Sequence, residues 1–78
     1  MTTWREVSEG YFACEDDSWI LYLRHDESGA MLEVFNGTQH VTTINWGPAP
    51  GAHLPDGGHS WYLKQSLKVL EAEKKKRG

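Results

Sequence analysis

All three prolines and four of the eight glycines fall between Gly47 and His59, in the run GPAPGAHLPDGGH. Proline lacks a backbone N–H and glycine loses the most conformational entropy on ordering, so this stretch excludes both regular helix and central strand. It cuts the chain into a long N-terminal segment and a short C-terminal one. At about 13 residues the connection is long for a compact domain, a length associated with either function or disorder.

The segment before the break reads as strands. Gly10–Cys14 and Ser18–Arg24 are aromatic and aliphatic, and the polar turn cluster Glu15-Asp16-Asp17 separates them. Along the second, Trp19, Leu21 and Leu23 point one way while Ile20 and Tyr22 point the other. Both sides are therefore apolar, the pattern of a strand covered on both faces or curled into a small barrel. His25–Gly29 reads as a turn, with Gly29 suited to a positive φ. Met31–Phe35, Asn36-Gly37 and Thr38–Trp46 then form a hairpin with a type I′ turn. That register pairs Phe35 with Thr38 and Leu32 with Val41. Trp4 and Val7 indicate that residues 2–9 also pack, as a short extra strand.

After the break, Ser60 is placed to cap a helix. Leu63, Leu67 and Leu70 recur at i, i+4 and i+7, widened by Tyr62 and Val69, which puts Leu67 at the centre of the buried stripe. Glu71–Lys75 and Glu73–Arg77 are acid-before-base pairs of helical spacing. The expected fold is α+β. An antiparallel meander of about four strands (10–14, 18–25, 30–36 and 38–46), open or barrel-like, carries one C-terminal helix over about 60–76. A chain of 78 residues holds one domain, spanning 1–78. Nine aromatic residues, four of them Trp, offset the small core such a length allows.

The lone Cys14 excludes an internal disulfide and a multi-cysteine zinc site. The N-terminus lacks a basic stretch followed by an apolar one, and the longest apolar run, Trp19–Leu23, is far below membrane-spanning length. The expectation is a cytoplasmic chain with no membrane association. Charge is uneven: residues 1–60 hold nine acids against Arg5 and Arg24, a net −7. Residues 61–78 hold six bases against Glu71 and Glu73, a net +4. An acidic body disfavours direct nucleic-acid binding, where cationic contacts supply most of the affinity, and fits a protein partner with a basic surface.

No phosphate-binding, nucleophile-elbow or paired-cysteine motif occurs. His53 and His59 flank Asp56, but their spacing matches no zinc pattern. Cys14 precedes three carboxylates that oppose thiolate formation, and reads as a small buried hydrophobe. No metal, cofactor or catalytic set is expected, and the chain reads as no enzyme.

Two functions remain. The first is a non-catalytic protein-binding module, an inhibitor or accessory protein docking through Glu15, Asp16 and Asp17. Phage-encoded inhibitors offer an analogy of size and charge only. The second is a small-ligand or nucleotide binder whose site is lined by Trp46, His53, His59 and Trp61 around the Gly/Pro loop, placed between subunits of a homodimer because one chain offers little room for a pocket.

Overall fold

The computed structural model describes residues 3–50, 55 and 57–77. Five strands come first, β1 (Thr3–Ser8), β2 (Tyr11–Asp16), β3 (Trp19–Asp26), β4 (Gly29–Asn36) and β5 (Gln39–Trp46), followed by one helix, α1 (His59–Arg77). The strands form a single antiparallel sheet in chain order. This is the expected α+β meander with one strand more, and β1 and β5 are both edges, so the sheet is open and no barrel closes. Of β1 only Trp4 is half-buried. An exposed polar edge strand leaves little apolar periodicity for a sequence reading to find.

Every hairpin closes with a two-residue loop, at Ser8↔Tyr11, Asp16↔Trp19, Asp26↔Gly29 and Asn36↔Gln39. Such loops need positive φ to match the twist of the strands. Gly10, Asp17 and Gly37 supply it at 73°, 56° and 63°. In the β3–β4 turn, Asp26 Oδ1 instead accepts from the backbone N–H and Oγ of Ser28, at 2.8 and 2.6 Å. Gly29 follows at φ 152°, where a Cβ would lie 2.4 Å from the Trp46 carbonyl oxygen. His25 and Asp26 thus end β3, and the turn itself is only Glu27-Ser28.

The β4–β5 hairpin stands where the sequence puts it, but its loop lies one residue further on and its pairing is shifted by two. Asn36 pairs with Gln39, so Gly37-Thr38 forms the loop in place of Asn36-Gly37. The Gly37 N–H donates to the Ser18 carbonyl of the neighbouring turn at 2.7 Å, a contact outside the hairpin. A bulge at Val41 then shifts the pairing by one residue more: Leu32 opposes Ile44, not Val41, and Val34 opposes Thr42.

Cys14, Trp19, Leu21, Leu23, Leu32 and Val34 form one buried side of the sheet, and α1 crosses β3 and β4 over it. The helix begins two residues earlier than the Ser60 cap implies. Tyr62 N–H donates to the Gly58 carbonyl at 3.0 Å, so Gly58 takes the N-cap place and Ser60 lies in the first turn. Its buried line is Tyr62, Ser66 and Leu70, at i, i+4 and i+8, with Leu63 and Val69 at the flanks. Leu67 is half-exposed and outside the core cluster, a rotation from the expected centre. The reason is size: Ser66, fully buried with its Oγ bonded to the Tyr62 carbonyl at 2.8 Å, lets the helix approach the sheet where a leucine would hold it away. Glu73 pairs with Lys76 at 3.0 Å, and Glu71–Lys75 is not among the ion pairs of the described residues.

Leu70→Ala is expected to cost about 2–5 kcal/mol, and Leu67→Ala less than about 1.5 kcal/mol, because only the first leaves a cavity in the core. Urea denaturation of the two variants measures the difference, and equal losses would mean that the helix is packed on another face.

Candidate functional site

Glu15, Asp16 and Asp17 are consecutive, and strand alternation sends them apart. Glu15 is exposed on the side of the sheet away from the helix, 4.0 Å from Arg5. Asp16 faces the helix and receives a 2.5 Å hydrogen bond from Lys74 Nζ, with only 20% of its side chain exposed. Asp17 is exposed in the turn at positive φ. Asp16 therefore lies on the opposite side of the sheet from Glu15. Asp16 is a tether, binding the far end of α1 to β2.

That tether sets a pH dependence. The bond from Lys74, reinforced by its charge, holds the Asp16 carboxyl below the usual carboxylate range, and Asp16 in turn raises Lys74 above the ordinary lysine value. A depressed carboxyl stabilises the fold above its unfolded pKa and loses that contribution as pH falls through the folded one. A raised lysine stabilises below its unfolded pKa and loses its part as pH rises through the folded one. The pair is therefore complete between about pH 4 and pH 10. Asp26 adds to the acid limb, held low by its bonds from Ser28. Between about pH 5 and pH 3, thermal melts of Asp16→Asn should fall less steeply than those of the wild type. Parallel curves would remove the tether from the account.

The ring residues around the Gly/Pro loop are packed against one another. Trp46 meets Trp61 edge to face, centroids 6.3 Å apart at 80°, and both contact Tyr62. Tyr62, fully buried, holds the start of the loop: its hydroxyl donates to the Gly47 carbonyl at 3.1 Å and accepts from Ala49 N–H at 3.0 Å. His59 lies against Phe12 and His25, with its Nδ1 2.8 Å from His25 Nε2. His53 and Asp56 lie outside the described residues. Among the described residues, Trp61 on Trp46 and His59 on Phe12 and His25 join the helix to the sheet, with the two tryptophan rings packed directly on each other. Tyr62→Phe should cost about 1–3 kcal/mol, since it leaves a buried Ala49 N–H without its acceptor. Chemical denaturation measures the loss, and a melt unchanged from wild type would show that the hydroxyl does not hold the loop.

Cys14 is 1% exposed, and its thiol is pushed up by burial first and by Asp16 and Glu15 second. It is unsuited to act as a nucleophile. Among the described residues no three His, Cys, Asp or Glu side chains are placed to hold a metal ion. No described helix is long and apolar enough to cross a membrane.

One side of the sheet is not covered by α1. The pairing puts three rows of side chains across it: Tyr11, Arg24, Met31, Asn45; then Ala13, Tyr22, Glu33, Thr43; then Glu15, Ile20, Phe35, His40. A diagonal of rings runs through them. Tyr11 stacks on Tyr22 at 6.0 Å, Tyr22 meets Phe35 edge-on at 5.7 Å, and Phe35 meets His40 at 5.3 Å. Arg24 sits 4.7 Å over the Tyr11 ring. Tyr11, Ile20, Tyr22, Met31 and Phe35 are only half-buried, although no element covers them. Shallow depressions of about 250 and 300 Å³ flank the face, one at Arg5 and Glu15, the other between Arg24, Met31 and Trp46. Each is at or below the usual lower limit for a small-molecule site.

The sequence reading saw that Ile20 and Tyr22 make the second side of β3 apolar, but assigned it cover. One helix of 19 residues has one buried face, and it is spent on the other side. The comparisons with known proteins returned no match to the chain from family models, curated proteins or solved structures.

Proposed function

We propose that the chain is a non-catalytic protein-binding module whose contact surface is the uncovered face of the sheet. The observation that carries this reading is the unbroken series of rings Tyr11, Tyr22, Phe35, His40 on a side that none of the described elements covers. Aromatic rings give large contact area at low entropy cost and dominate the centres of protein interfaces. The geometry counts against the ligand reading, because Trp46 and Trp61 close on each other and Tyr62 occupies the nearest loop groups. It also counts against a base-stacking platform, which needs a cationic groove. Here Arg5 and Arg24 are matched by Glu15 and Glu33, while Asp17, Asp26 and Glu27 lie exposed at the strand ends. A partner surface apolar at its centre, with charges that complement Arg24 and Glu33 around it, fits this arrangement, and charge would act on the approach more than on the final affinity.

Tagged wild-type chain used as bait in lysate of the source cell should recover a protein, untagged copies of the chain included, that Tyr22→Ser and Phe35→Ser do not, with Trp61→Ala behaving as wild type. Equal recovery by the wild type and both ring variants, each folded by circular dichroism, would refute the proposal.

A further inference from the structure

The uncovered face carries a pattern that matches itself. Tyr22 is the middle outward residue of the middle strand, so it lies at the centre of the three rows. Strands are about 4.8 Å apart, and successive outward residues along a strand about 6.7 Å apart, so the rows form a grid about 1.4 times longer along the strands than across them. Arg24 is one step from Tyr22 along β3, and Glu33 is one step from it across to β4. Tyr11 and Phe35 occupy opposite corners.

A two-fold axis lying in the plane of contact, on the diagonal through Glu15, Tyr22 and Met31, exchanges steps along a strand for steps across the sheet. It brings Arg24 of one copy to Glu33 of the other, twice, with an offset of about 2 Å that both side chains can span. It sets Tyr11 of each copy against Phe35 of the other and Tyr22 against its own counterpart. The strands of the two sheets then cross near 90°, one of the two standard ways sheets pack face to face. The exposed acids at the strand ends meet the partner's sheet edges, which carry Arg5, Thr43, Asn45 and His40 on this side. The one like-charge approach is Glu15 on the axis, and each Glu15 has Arg5 beside it.

Among the described residues Arg24 has no carboxylate within 4.0 Å and Glu33 no cation, so both charges are available to a second molecule. The other diagonal, through Tyr11 and Phe35, would set Arg24 on Ala13 and Glu33 on Ile20, burying both charges unpaired. Only one of the two is complementary.

We infer that the occupant of this face is a second copy of the chain, in a two-fold dimer held by reciprocal Arg24–Glu33 pairs around a centre of Tyr11, Tyr22, Phe35 and Met31. The inference rests on the reading of this face as a contact surface and names what fills it. The interface is self-complementary, as a two-fold requires. Its nine side-chain positions on each copy make a small interface, so the dimer should be weak, with a dissociation constant in about the micromolar range.

Sedimentation equilibrium of the purified chain from about 1 to 300 μM tests it. The wild type should dimerise, and Tyr22→Asp should raise the dissociation constant at least about tenfold. Arg24→Glu alone and Glu33→Arg alone should each be monomeric, since each sets like charges together twice. Mixed in equal amounts, the two should associate, because every contact is then Glu with Arg again. Circular dichroism confirms that each variant is folded. A wild type that stays monomeric at the highest concentration overturns the inference, as does a dimer that the charge variants leave intact. The broader reading fails separately: recovery of a different protein through Tyr22 and Phe35 would keep the contact surface and discard the second copy.

Discussion

One helix must close one side of a five-stranded sheet, and everything else in this chain follows from how closely it can approach. Ser66 sits at the crossing, fully buried and satisfied by the Tyr62 carbonyl, where a bulkier residue would lift the helix away. Tyr62, one turn earlier, fills the space at the start of the crossing and uses its hydroxyl to hold Gly47 and Ala49. Leu70, one turn later, completes the contact with the leucines of β3 and β4. In a protein this small, three side chains on one helix line carry much of the tertiary fold.

The two ends of the helix are secured by different chemistry. At its start, rings pack on rings: His59 on Phe12 and His25, Trp61 on Trp46. At its end the basic tail would repel itself, and Lys74 instead reaches Asp16 across the sheet. The acidic body and the basic tail are therefore parts of one fastening. Part of the charge contrast that the composition offers to a partner is consumed inside the molecule.

Because the helix serves one side only, the other side is left with half-buried rings that shield each other without being covered. Single exposed apolar residues are ordinary on protein surfaces, but a contiguous patch at the centre of a sheet is where partners bind. Tyr22 exists twice over in the energetics, contributing to packing with Tyr11 and Phe35 within the sheet and offering a face outward. The balance of Arg24 and Glu33 around it keeps the patch neutral, which favours a neutral or self-complementary surface over a polyanion.

The residues before and after the Gly/Pro run declare their periods plainly, and the meander, the hairpin near Gly37 and the single C-terminal helix were all legible in the sequence. β1 was legible only in outline, since an edge strand with one half-buried residue has no core face to reveal. Which way each element turns was decided by the tertiary structure. The leucine spacing pointed to Leu67, but helix approach distance favoured the line through Ser66, a small polar residue that no hydrophobic pattern selects. The turn acids read as one cluster, but alternation along β2 and the reach of Lys74 separated them into a surface charge, a tether and a turn residue. The apolar second side of β3 was visible from Ile20 and Tyr22, yet local periodicity records only that a residue is apolar. Whether it is covered depends on how many elements there are to cover it, and with one helix for two faces, one face had to remain open.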